Sequence, residues 1–221
     1  MARDALTAGS KRTDLLMMEA RRKAIHLTGL SVPAAILLFG KASAFGFVAA
    51  ALAVAVLLER ARLSGKLRLP AVREHEAERV AGYFYYILGA LLTVLFFSPP
   101  IAVAAMLMLA LGDAASGIIG SVVGGSAVRT RMMEGGGRRT KPMPVVAGTF
   151  AVCLLVGNAA SLLEGIYFVG PGVLTLPVRT VGAAAATFAD AIPLTFRGKI
   201  IDDNLSIPLF SGSAMSLAAL L

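Results

Sequence analysis

The chain has 221 residues, 57% of them hydrophobic and 15% charged, with 21 Lys and Arg against 13 Asp and Glu and a formal net charge of +8. A soluble domain holds about 45–50% apolar residues even with glycine counted, and about 25% charged ones. The composition therefore excludes an ordinary water-soluble domain, a disordered chain and a fibrous repeat, and points to an integral membrane protein.

The first 23 residues are polar and carry Arg3, Lys11, Arg12, Arg21, Arg22 and Lys23. No small-residue cleavage site follows them, so they read as a basic amphipathic arm before a single transmembrane domain over 24–221. Apolar runs then predict spans at 24–40, 42–58, 80–97, 101–124, 144–163, 179–196 and 205–221. They are solid and long rather than alternating over about 10 residues, which favours an all-α bundle of about seven transmembrane helices over a barrel. The stretch 164–178 holds Gly165, Gly170, Pro171, Gly172 and Pro177; it reads as a loop with room for a re-entrant piece. Cys153, the one cysteine, lies inside an apolar run, so neither an internal disulfide nor a CxxC metal site is available.

Basic residues alternate with these spans. The N-terminal arm and the loops after spans two, four and six hold six, six, five and two, 19 together; the opposite loops hold Lys41 and Arg179, which completes the 21. Positive loops stay in the cytoplasm, so the N-terminus is expected inside and the C-terminus outside.

Four polar features interrupt the apolar runs. Asp113 lies within span four and shares one helix face with Gly117, Gly120 and Gly124. A carboxylate inside a span is costly and is a functional candidate by default; small-residue helix packing is the alternative. Asp190 lies in span six near Pro193, where a kink would free backbone groups for a polar contact. Asp202, Asp203 and Asn204 precede span seven. Three successive oxygen side chains suit a hard cation such as Mg2+, although one of them also suits a helix N-cap. The loop 125–143 combines glycines with Arg138, Arg139 and Lys141, a composition fit for phosphates, without the spacing of a P-loop. His26, behind the basic run, is placed to touch phosphate or shuttle a proton, or to sit at headgroup level. His75 within REHEAER reads chiefly as part of a solvated helix face. A straight span four puts Asp113 about 17 Å from its inner end, near the midplane. That depth requires a cavity sunk into the membrane, or a transport path.

These motifs resemble the CTP-dependent polyprenol kinases, which include dolichol kinase, phytol kinase and a CTP-using diacylglycerol kinase. The resemblance is carried by Arg22-Lys23-x-x-His26, by Arg73-x-x-Glu76 with Gly82-x-x-Tyr85, and by Gly112-Asp113-Ala114-Ala115 with Gly120 and Gly124. Gly148-Thr149 and Asp202-Asp203-Asn204-Leu205-Ser206-Ile207-Pro208 complete it. One departure stands out: Ala147 occupies the place of the family's glutamate before Gly148, and the lysine lies upstream at Lys141. The resemblance implies transfer of the γ-phosphate of CTP to a polyprenol, isoprenoid or other lipid alcohol at the cytoplasmic face. It assigns Mg2+ or Mn2+ with nucleotide to Asp202, Asp203 and Asn204, and phosphates to Lys23, Arg138, Arg139, Lys141, Gly120, Gly124, Gly148 and Thr149. Asp113, Asp190 and His26 are left as catalytic candidates. The partners expected are the lipid bilayer, the lipid alcohol and a nucleoside triphosphate, with no nucleic acid. A cytidylyltransferase on a lipid phosphate, and a small ion or solute transporter with buried acids, are the alternatives.

Overall fold

The computed structural model describes residues 27–67, 79–133, 140–197 and 199–221, with the side chains of 124–133 and 199 excepted. The arm 1–23, Lys23, His26, Arg73, His75, Glu76, Arg138 and Arg139 lie outside these residues. The described chain is helical apart from one short hairpin. Helix α1 runs Ser31–Leu63 behind a single 3-10 turn, α2 Gly82–Phe96 and α3 Pro99–Leu107. A five-residue π-turn, Met108–Gly112, leads from α3 without a break into α4, Asp113–Met133. Helices α5 (Met143–Tyr167), α6 (Leu176–Ala191) and α7 (Asp203–Ala218) complete the bundle. Among the described residues three helical stretches are long and apolar enough to cross a membrane: Thr28–Leu63, Pro99–Val123 and Met143–Tyr167.

The 36 residues of Thr28–Leu63 would reach about 54 Å as one rod, well past an apolar layer of about 30 Å. They do not form one rod. Gly40 has φ 81° and ψ 167°, a conformation that essentially only glycine adopts, and the chain doubles back there. A Cβ on Gly29 would strike the Tyr86 hydroxyl near the start of α2. Lys41 Nζ donates to the carbonyls of Leu95 and Phe97 at the end of α2 (3.2 and 2.9 Å). Glu59 then meets Ala81 N and Tyr83 Oη back at the start of α2 (2.9 and 2.6 Å). So 28–39 runs parallel to α2 and 41–63 antiparallel to it, with the turn at Gly40–Lys41 where the sequence puts its first outer loop.

Close glycine contacts set the remaining register. A Cβ on Gly89 would lie 2.6 Å from the Asn204 carbonyl, one on Gly182 2.5 Å from Met215, and one on Gly212 2.2 Å from Phe97. Helix α7 is thus parallel to α2 and antiparallel to α6. Gly112 of the π-turn lies against Cys153 of α5, and Gly148 of α5 lies against Ile119 of α4, so α5 is antiparallel to both. The bundle core is the α3 stretch Ile101–Met106 with Met108 and Leu109, every one of these at most 3% exposed.

Two boundaries differ from the sequence expectation. Helix α6 stops at Ala191, not at 196: Ile192 is extended (φ −115°, ψ 122°) because Pro193 disfavours helical geometry in the residue before it. Pro193 is therefore a stop and not a kink. The connection to α7 includes an antiparallel pair, β1 (Thr195–Phe196) with β2 (Lys199–Ile200). At the opposite end, α5 runs on through Glu164, and only 168–175 is loop. The Glu164 carboxylate accepts from Val173 N and Leu174 N (2.6 and 2.9 Å), which pins that loop to the helix end.

Candidate functional site

Three carboxylates from three helices meet at one end of the bundle. Asp113 starts α4, Asp190 closes the last turn of α6, and Asp203 starts α7. One oxygen from each lies within 4.8 Å of the other two. Asp113 and Asp190 are each 7% exposed, and Asp203 is half-buried. The tight α6–α7 connection brings Asp190 and Asp203 together. The π-turn, a deformation frequent at functional sites, delivers Asp113 from the side.

Lys141 enters from the loop before α5. Its backbone N donates to Ala191 O (3.1 Å). Its Nζ donates to Asp190 Oδ1 (2.6 Å) and to Ser116 Oγ (2.8 Å), and Ser116 Oγ donates to Asp190 Oδ2 (2.7 Å). Burial works against the Lys141 ammonium, but attraction to Asp190, Asp203 and Asp113 prevails and raises its pKa above the usual lysine value. Lys141 stays charged at neutral pH and places one positive charge among the three carboxyl groups.

The acidic string before α7 divides. Asp203 joins Asp113 and Asp190. Asp202 caps α7, its Oδ1 accepting from Asn204 N (3.0 Å) and Asn204 Nδ2 (2.8 Å), and Asn204 Nδ2 also approaches Gly82 O (3.4 Å). The cluster thus takes one residue of the string and replaces the other two with Asp113 and Asp190.

Other candidates fall into place around it. Gly120 has open space where a Cβ would stand, and Gly124 is a helical residue of α4. Gly148 admits the Ile119 side chain. Its neighbour Thr149 is 1% exposed, and its Oγ1 has no hydrogen-bond partner among the described residues. With Gly148 opposite Ile119 and Cys153 opposite Gly112, Thr149 is level with the α4 turn that carries Ser116. Asn204 Oδ1, beside Asp203, is a second buried oxygen without a partner there. Ser116 was not a candidate from the sequence. Its signal was available as Asp113-x-x-Ser116, a spacing that puts both on one helix face.

The position of the cluster along the bundle corrects the midplane estimate for Asp113. Its neighbours are the end of α6, the start of α7 and the residue two before α5. Helix α4 runs on to Met133 past those ends, so the middle of α4 is not the middle of the bundle. At the same end lie Glu59, Arg62 and Ala81, tied by Arg62 Nε to Glu59 (3.0 Å) and by Arg62 Nη2 to the Arg79 carbonyl. Lys41 and Arg179 lie at the other. No family model, characterised protein or solved structure matches the chain.

Proposed function

We propose that the chain is a multi-pass membrane kinase that transfers the γ-phosphate of CTP to a lipid alcohol, with its site at the cytoplasmic face. The observation that carries this reading is the convergence of Asp113, Asp190 and Asp203 with Lys141 at one end of the bundle. Hard oxygen ligands at this spacing suit one Mg2+ or Mn2+ that also takes phosphate oxygens and water. Phosphoryl transfer asks mainly for positioning and charge neutralisation. The three carboxylates would hold the metal, and Lys141 would lie against the phosphates. Thr149 and Asn204 offer buried polar atoms still to be satisfied, which favours an occupied site over a closed ion-pair network. The lipid oxygen–phosphorus bond forms as the bond from the γ-phosphorus to its bridging oxygen breaks. CDP leaves, and the hydroxyl proton passes to a carboxylate or water.

Seven spans with the N-terminus inside belong to the same proposal. The Gly40 reversal splits the first apolar stretch in two, and α2, the α3–α4 rod, α5, α6 and α7 supply five more. The end that bears the acid cluster also bears Arg60, Arg62, Lys66, Arg79, Lys141 and Arg197, as a cytoplasmic face should. A transporter would want its acids near the midplane with access from both sides, which the helix-end position disfavours.

The deciding experiment incubates purified protein with CTP labelled at the γ- or α-phosphate and a panel of lipid alcohols and lipid phosphates. γ-Label in the lipid is the expected result. α-Label with pyrophosphate release would replace the kinase with a cytidylyltransferase. Absence of both, from folded protein, would overturn the enzymatic reading.

A further inference from the structure

A groove of about 550 Å³ runs along the outer surface between α5 and α6. Ala147 and Phe150 of α5 and Ala184 and Phe188 of α6 line its length, and the lining is almost wholly apolar. Ala147 and Ala184 are both exposed. Small residues at these two lining positions leave a trough where larger ones would narrow it.

One end of the trough is not like the rest. Its lining there includes Thr140, Thr187 and Ala191. Thr140 precedes Lys141. Thr187 stands one helical turn before Asp190, and the Ala191 carbonyl accepts the Lys141 N–H. The trough therefore ends beside the Lys141 backbone, one helical turn from Asp190, and its other end runs along the helices toward Ala184. An apolar strip with one polar end has the polarity of a single hydrocarbon chain ending in a hydroxyl.

We propose that the α5–α6 groove seats the hydrocarbon chain next to the acceptor hydroxyl, and that a single-chain lipid alcohol enters it sideways from the bilayer. This inference rests on the lipid-kinase reading and names its substrate path.

The test uses the full-length protein in phosphatidylcholine nanodiscs with a long-chain alcohol that carries a photoreactive diazirine near its hydroxyl. Adducts should concentrate on Phe150, Phe188 and their groove neighbours and be competed by unlabelled long-chain alcohol. Ala147→Phe and Ala184→Phe fill the trough from exposed positions. Each should raise KM for the long-chain alcohol at least about tenfold, since each excluded methylene is worth about fourfold. KM for CTP and turnover of a short-chain alcohol should stay within about twofold. Adducts spread evenly around the bundle, or phosphate transfer with unchanged KM in both variants, would overturn the seat and leave the kinase standing. Groove labelling with no phosphate transfer would support the seat and overturn the kinase. Should both variants misfold, the adduct map of the unmodified protein decides.

Discussion

Two adjacent aspartates before α7 have different work, and single substitutions separate them. Asp203 faces the other two carboxylates, so Asp203→Asn should cut metal-dependent phosphate transfer at least about 100-fold, with little change in thermal stability. Asp202→Ala should cost about 1 kcal/mol, the usual value of an N-cap, and leave turnover within a few-fold; a reversed pattern in parallel melting and activity assays would refute the assignment. Lys141 and Asp190 form the tightest ion pair of the site, at 2.6 Å. Lys141→Met strands a carboxylate whose side chain is 2% exposed, which costs about 3–5 kcal/mol. Lys141→Met with Asp190→Asn should recover much of that loss in detergent melts, though no activity. Thr149 gives the complementary case. Its hydroxyl has no partner among the described residues, so Thr149→Val should leave stability unchanged or slightly higher. If the hydroxyl meets phosphate or metal-bound water, the same variant lowers CTP turnover; normal kinetics would make Thr149 a packing residue.

At the scale of elements, two glycines position helices for opposite reasons. Gly40 has nothing within 4 Å of a would-be Cβ, yet its φ is +81°. Gly40→Ala therefore meets no clash and still costs about 1–3 kcal/mol of backbone strain, whereas Gly46→Ala, helical and equally open, should be neutral or stabilising by about 0.5–1 kcal/mol. Comparing the two melts isolates the reversal. Gly89 is the contact type. A Cβ there stands 2.6 Å from the Asn204 backbone carbonyl, and backbone cannot swing aside as a side-chain tip can. Gly89→Ala should shift the start of α7, carry Asp203 with it and lower activity far more than stability; melts and turnover of one preparation measure both.

For the whole molecule, the order of helix ends is the testable quantity. The acid cluster shares an end with the basic loops, and the Ala218 end of α7 lies beside Lys41 and Arg179. A reporter active only outside the cytoplasm should work when fused after Leu221 and fail when fused at Lys66. Activity of the C-terminal fusion inside would reverse the bundle and detach the site from the nucleotide pool. The Glu59–Arg62 pair, joined by Ala81 and Tyr83, ties the second half of α1 to the start of α2 across the loop that holds most of the basic residues after span two.

Much of this was determined by the sequence alone. Membrane class is what the apolar content leads one to expect, because water does not tolerate that much exposed carbon, and three helical stretches are long and apolar enough to cross a membrane. The break at Gly40–Lys41 and the helices near 80–97, 144–163 and 205–221 follow from where apolar runs stop. Asp113 and Asp190 were legible one by one, since a carboxylate in an apolar run is expensive wherever it lands, and Asp203 was legible from the run of oxygen side chains before α7. Their meeting was not. They are 77 and 13 residues apart in sequence, and only the antiparallel packing of α5, α6 and α7 against the π-turn brings them within 4.8 Å. Asp202 and Asn204 were expected beside Asp203 as metal ligands, and the contacts at the start of α7 bind them to each other instead. An N-cap and a metal ligand use the same atoms, and the direction in which the chain enters α7 decides between them. Depth followed the same rule: position along one helix measures distance from that helix's own ends, and only the neighbours of α4 show where the ends of the bundle lie.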